Sequence, residues 1–176
     1  MRELAAWRRQ AGLEGGIENE STEKVEPTGR VGALIMGRNM FGGGPGPWGE
    51  EQPWNGWWGD DPPFHLPVFV LTHHSRQPLH MAGGTSFTFV QEGIEAALEP
   101  AQEAAGERDV TIAGGATTAR QYLAAGLIDE LEISIVPVVL GGGVRLFDDP
   151  SLAGTRLTQI RVTEGPGVTH LEYQVR

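Results

Sequence analysis

The sequence predicts an α/β fold: a three-layer domain with a mostly parallel central sheet and a C-terminal antiparallel hairpin. Three observations predict it. Val31–Met36 and Val68–Thr72 are nearly unbroken apolar runs, the pattern of strands buried on both faces. Further strand patterns alternate with helix patterns between Phe87 and Ala125, which indicates parallel strands linked by helices. Segments 155–164 and 168–175 are joined by Glu164-Gly-Pro-Gly167, the signature of a hairpin.

Each element follows from its residues. Residues 1–11 read as a helix, with Leu4, Ala5, Trp7 and Ala11 giving a loose apolar stripe. Residues 12–29 read as polar, Gly-rich loop, with room for a short helix around Ser21–Glu26. After the Val31–Met36 strand, Gly37-Arg-Asn-Met-Phe41 is a strand-to-helix turn. Residues 42–63 hold four of the five tryptophans among many glycines and prolines. Such a segment is too irregular for helix or strand and too apolar for free linker, so it is expected to be an ordered loop packed on the body. Residues 73–86 are turn-rich, and Phe87–Val90 reads as a short strand. Gln91–Ala105 places Ile94, Ala97, Leu98 and Ala101 at helical spacing. Asp109–Ala113 then reads as a strand, and Thr117–Ala125 as a helix capped by Gly126. Glu130–Val136 alternates as a strand with a polar face at its start, and Pro137–Arg145 is a Gly-rich loop. The whole of residues 1–176 is expected to be a single domain.

Composition narrows the function. The formal net charge of −10 argues against a general nucleic-acid binder. The absence of cysteine removes disulfides, thiolate metal sites and a cysteine nucleophile. No apolar run approaches the roughly 18 residues of a membrane span. The N-terminus, with Trp7-Arg8-Arg9, has no apolar signal core. A cytoplasmic protein acting on a small molecule is the expectation.

Three strand ends carry chemistry. At Val110-Thr-Ile-Ala-Gly-Gly-Ala-Thr-Thr118, a β-branched run meets two glycines and then a helix. Backbone N–H groups at such a turn can cradle a phosphate, and the helix dipole favours its charge. The turn departs from the G-x-G-x-x-G fingerprint, so an ordinary Rossmann domain is not expected. Taken alone, it serves equally well as a tight structural connection. At Met36-Gly-Arg-Asn-Met40, an arginine at a strand end suits a phosphate such as a 2′-phosphate, although alone it reads as a surface cation. At Leu71-Thr-His-His-Ser-Arg76, hydroxyls and cations again follow a strand. The adjacent His73 and His74 diverge on a strand and have no carboxylate cluster, so no metal is expected. The glycines of Leu140-Gly-Gly-Gly-Val-Arg-Leu-Phe147 belong to a loop over the site or to a structural crossover. The tryptophans of residues 48–58 are expected to bury their loop in preference to stacking on a ligand. No Gly-x-Ser-x-Gly elbow, Walker loop or zinc-protease helix occurs.

Together the three ends resemble the dihydrofolate reductase-like superfamily, in the branch that holds the riboflavin-biosynthesis reductase (bifunctional deaminase-reductase C-terminal) domain and its small bacterial relatives. The matching pieces are Leu34–Phe41, Val68–Arg76 and Val110–Ala119. Leu127–Leu131, Pro137–Gly143 and Leu146-Phe147 match as well, so the resemblance covers about residues 31–176. It implies NADPH binding and hydride transfer to an unidentified heterocyclic or carbonyl substrate. The activity would be like that of 5-amino-6-(5-phosphoribosylamino)uracil reductase or dihydrofolate reductase. Gly37 and Arg38 would hold the adenosine-phosphate end, with Arg38 on the 2′-phosphate. Thr72 and His73 would line the ribose region. Gly114, Gly115, Ala116, Thr117 and Thr118 would cradle the pyrophosphate, and the Gly-Gly bond is often cis in such proteins. Relatives often dimerise, so a homodimer through an exposed edge or the tryptophan-rich loop is an expectation.

The chain also departs from the family. The usual first strand, with its Ser-Leu-Asp-Gly-Phe-like segment, has no counterpart before Val31. Residues 1–30, including Gly12-Leu-Glu-Gly-Gly16, resemble what normally follows that strand. The expectation is an N-terminally shortened chain. No catalytic residue or proton donor is assigned, and the acid that serves pterin reduction has no evident match. The alternative is a non-catalytic nucleotide-binding or oligomerising domain that has lost the active site.

Overall fold

The computed structural model describes residues 30–44, 46–49, 54–165 and 167–176. The helix and loop expected over residues 1–29 lie outside them. The chain divides into two compact units, one spanning Pro27–Ala119 and the other holding Arg120–Arg176.

The first unit is built on β1 (Val31–Gly37), β2 (Pro67–Leu71), β3 (Leu79–His80), β4 (Ser86–Val90) and β5 (Asp109–Gly114), in sheet order β3-β4-β2-β1-β5. β1 pairs in parallel with β2 and β5, and β2 pairs in parallel with β4. The central strand β1 is buried from Gly32 to Gly37, as its apolar run requires. Helix α1 (Arg38–Phe41) is a single turn, and α2 spans Ile94–Ala105. Helix α2 packs on β1, β2 and β5 through Ala97, Ala101 and Ala105. These small side chains let helix and sheet approach closely. A Cβ on Gly32 would lie 2.6 Å from the Ala105 backbone. The expected helix start at Gln91 is corrected to Ile94. Gly93 sits at φ 103°, a conformation that no helix contains. The turn-rich segment 73–86 also contains β3, antiparallel to β4, which is too short to show a period in sequence.

Loop 42–63 is packed, as expected, and its described residues form neither helix nor strand. Trp58 is buried against Phe64 and Phe87, and Phe41 meets Phe87 edge-on at 5.1 Å. The indole of Trp54 donates to the Phe41 carbonyl at 2.7 Å. Trp57 differs, being 54% exposed.

Helix α3 (Ala116–Ala124) follows β5. It ends as foreseen at Gly126, which takes φ 68°. Gly126 N–H donates to Leu123 and Leu127 N–H to Tyr122, closing a Schellman motif. The second unit carries β6 (Glu130–Ile135), β7 (Leu157–Gly165) and β8 (Val168–Val175), in order β6-β8-β7 and antiparallel throughout. The expected hairpin is β7–β8, and β6 joins it in a separate three-stranded sheet. The fold class is the one expected: a mostly parallel mixed sheet with helices, and an antiparallel C-terminal element.

Candidate functional site

In the first unit the sheet brings the three motif-bearing strand ends side by side. Gly37 pairs in register with Leu71 on one side, and Met36 pairs with Gly114 on the other. The chain runs from β1 outward through β2 and β4, then returns to place β5 on the opposite edge of β1. The carboxyl ends of β1 and β5 therefore flank a topological switch point, where open α/β sheets leave a crevice.

Gly37, Gly114 and Thr118 meet at that point. A Cβ on Gly37 would overlap the hydroxyl of Thr118 and lie 3.8 Å from the Gly114 carbonyl oxygen. Only glycine permits this approach between β1 and the first turn of α3. The peptide bond between Gly114 and Gly115 is cis. The Ala119 N–H donates to the Gly115 carbonyl at 3.1 Å, so Gly115 is the N-cap of α3. The N–H groups of Ala116, Thr117 and Thr118 therefore fall in the first turn of the helix. A Cβ on Gly115 would meet nothing within 4 Å, which leaves room for a ligand at the cap. Such a turn suits an anion.

Arg38 leaves the end of β1 and enters an aromatic setting. Its guanidinium carbon lies 3.0 Å from the centre of the Trp48 ring, and Nη2 donates to the carbonyls of Gly43 and Gly44. Its Nε and Nη1 are buried and have no hydrogen-bond partner among the described residues. Arg76, beyond the end of β2, lies 4.7 Å from the same ring. Burial first, and then the charge of Arg76, push the Arg38 pKa below its ordinary value, and burial does the same to Arg76. Among the described residues neither guanidinium meets a carboxylate. Arg38, Asn39, Trp54 and Trp57 help line an open, largely apolar cleft of about 480 Å³ beside this cluster.

Thr72 is buried, and its hydroxyl accepts from the His74 N–H at 3.2 Å. His73 is exposed, and its carbonyl accepts from the Gln91 side chain. The fold thus brings Gly37, Arg38, Thr72 and Gly114–Thr118 to one edge, with His73 at its solvent side. Sequence reasoning missed the role of Trp48. Its indole N–H donates to the His74 carbonyl at 3.0 Å, and its ring covers Arg38. Loop 42–63 has no period that could have aimed one tryptophan among four. Arg76 stood within a recognised motif, but its pairing with Arg38 is tertiary.

Fold and site together define an open α/β protein with phosphate-compatible strand ends at its switch point. The chain belongs to the RibD C-terminal domain family, whose model matches residues 20–171. Among curated proteins, it is 37% identical over 82 residues to the uncharacterized protein YwjB of Bacillus subtilis, covering 47% of this chain and 43% of that one. It is 27% identical over 124 residues to YyaP of the same organism, covering 68% and 61%. The chain thus spans less than two thirds of either relative. A solved protein named for riboflavin biosynthesis from Shewanella sp. PV-4 superposes with TM-score 0.57 at 25% identity, covering 84% of this chain and 76% of that chain. Acinetobacter baumannii RibD matches with TM-score 0.56 at 18% identity, over 93% and 53% of the two chains. The deaminase/5-amino-6-(5-phosphoribosylamino)uracil reductase of Thermotoga maritima matches with TM-score 0.54 at 15% identity, over 97% and 52%. The last two likenesses are of fold. Among the described residues, no helix is long and apolar enough to cross a membrane.

Proposed function

We propose that this protein is an NADPH-dependent reductase that transfers hydride to a small heterocyclic or carbonyl compound. The observation that carries the reading is the meeting of Gly37, Gly114 and the first turn of α3 at the switch point. NADPH would supply the hydride, and the protein would supply position and electrostatics. The N–H groups of Gly115–Thr118 would hold the pyrophosphate, and the open side of Gly115 leaves room for it. Arg38, which lines the open cleft, would hold the 2′-phosphate. Thr72 would line the ribose region through its hydroxyl hydrogen, since its oxygen already accepts from His74. His73 would line its solvent side. The family match and the Shewanella likeness support a reductase of the riboflavin-pathway type.

The test is a titration of the full chain with NADPH and with NADH, read by tryptophan fluorescence. A turnover assay with a ribosylaminopyrimidine and with a dihydropterin follows. Binding of NADPH in preference to NADH, with oxidation of the cofactor by a substrate, is the expected result. Preferential binding without turnover of any pyrimidine, pterin or carbonyl compound would favour a nucleotide-binding domain that has lost its chemistry. Failure of either cofactor to bind would refute the reading.

A further inference from the structure

We infer that Trp54 and Trp57 form a stacking corner that takes a planar nitrogen heterocycle. The ring can belong to a cofactor or to a substrate; its flat face and its hydrogen-bonding edge are the same chemistry in both.

Loop 42–63 treats its tryptophans unequally. Trp58 is buried, whereas Trp57 is 54% exposed. That exposure does not come from a loose segment. The indole of Trp54 donates to the Phe41 carbonyl at 2.7 Å, and Arg76 donates to the Trp54 carbonyl and to Asn55 Oδ1. The rings of Trp54 and Trp57 meet edge to face, with centres 4.7 Å apart and planes at 72°. Both are seated directly on the backbone of Gly42 and Gly43, which take φ 89° and 88°. A Cβ on Gly42 would lie 2.5 Å from Trp57 Nε1, and one on Gly43 would lie 3.0 Å from the Trp54 side chain. Only glycine allows both this backbone and this approach. The result is a pinned aromatic corner on the open cleft of about 480 Å³, a volume that suits a small molecule. An indole kept in water forfeits the burial that stabilises Trp58, and a ring laid against it would recover that burial. Two indoles at a steep angle offer a flat ring one stacked and one edge-on contact. The rim of the cleft selects a heterocycle. Asn39 lines it and is exposed, and an amide both donates and accepts, as the edge of a purine or a pteridine does. Arg38 is the one charged residue of the lining, so a neutral or anionic ring is favoured over a cationic one. In the competing role Trp57 only shields the Gly42 backbone, which any large apolar side chain could do.

Calorimetric titration of the full chain, with no NADPH present, separates the two roles. The probes are adenosine 5′-monophosphate, pterin-6-carboxylate and cyclohexanecarboxylate, an apolar anion without a flat face. The variants are Trp57→Phe, which keeps an aromatic face, and Trp57→Leu, which keeps apolar cover without one. Wild type should bind at least one of the two heterocycles in preference to cyclohexanecarboxylate. Trp57→Leu should weaken that binding by about 5- to 100-fold, as the loss of one stacked ring does, and Trp57→Phe should retain most of it. A loss confined to the monophosphate assigns the ring to a cofactor, and a loss confined to the pterin assigns it to a substrate. Binding of neither heterocycle, equal binding of cyclohexanecarboxylate, or no loss in Trp57→Leu would overturn the inference. If Trp57→Leu fails to fold, the indole N–H resonance of wild-type Trp57, identified by Trp57→Phe, decides. It should shift when the heterocycle is added, and a resonance that stays in place overturns the stacking role. Heterocycle binding that depends on Trp57, in a protein that does not bind NADPH, would sink the cofactor reading and leave the corner standing.

Discussion

A methyl group on Gly37 has nowhere to go, because Thr118 Oγ1 already fills the space. Gly37→Ala is therefore expected to lower stability by about 1–3 kcal/mol, the range for overpacking a tight contact. The Thr118 Cβ would lie at an ordinary 3.6 Å from the new methyl. Thr118→Ala should consequently recover most of the loss, and urea denaturation of the double-mutant cycle measures that coupling. Additive losses would show that the contact is not what requires glycine. At Arg38, which lines the cleft, a different prediction follows. Arg38→Ala should weaken NADPH by about 10- to 100-fold, following charge-assisted hydrogen bonds of about 1.5–3 kcal/mol, with a much smaller effect on NADH. Equal losses for the two cofactors would remove Arg38 from the phosphate site. Both residues were marked by the sequence, since a glycine followed by arginine at the end of an apolar strand is a local pattern. Thr118 was marked as well, but its contact with Gly37 was not, nor was that of Trp48 with Arg38, because those contacts close only in three dimensions.

Among the elements, loop 42–63 governs the environment of the cations. Trp48 touches Phe41, Phe89, Arg38 and Arg76. A phosphate drawing Arg38 away would alter its emission first. Trp48→Phe should therefore abolish most of the fluorescence change on NADPH binding, and an unchanged amplitude would place the ligand elsewhere. The short turn Pro150–Leu152 offers a test by pH. Asp149 accepts from Ser151 Oγ at 2.7 Å and from Ser151 N–H at 2.9 Å. These bonds hold its pKa below the ordinary aspartate value; desolvation opposes them and Arg120 adds a smaller pull. A depressed carboxylate pKa means the turn is stabilised above the ordinary aspartate range and loses that support as pH falls through the lowered value. Ser151→Ala should raise the Asp149 titration midpoint, as read by NMR. A midpoint that does not move would show that the hydroxyl is not the cause.

For the whole molecule, ligand binding to the folded state raises thermal stability by mass action. NADPH at about one hundred times its Kd should add about 2.7 kcal/mol and raise Tm, and NADH at the same concentration should raise it less. A Tm indifferent to both would remove the cofactor from the protein's function. The net charge of −10 makes this a stringent trial. An anionic ligand must find its cations locally, against the field of the chain as a whole.

The sequence by itself determined the class of fold, every strand but the two-residue β3, and the three motif-bearing ends. Those properties are encoded in short runs: unbroken apolar residues at β1 and β2, glycine after β5, glycine after α3. It also determined the hairpin, because β7, its turn and β8 are contiguous in the chain. Only the tertiary structure decided that the three ends lie next to one another, since β1 pairs with β2 and β5 through residues about 34 to 78 positions apart. Only it decided that β6 pairs with β8 in a separate sheet, and that Arg38 and Arg76 share one indole. The physical reason is the range of the forces. Propensity and periodicity act along a few residues, whereas the repulsion of two guanidiniums and the fit of Gly37 against Thr118 exist only once distant segments have packed.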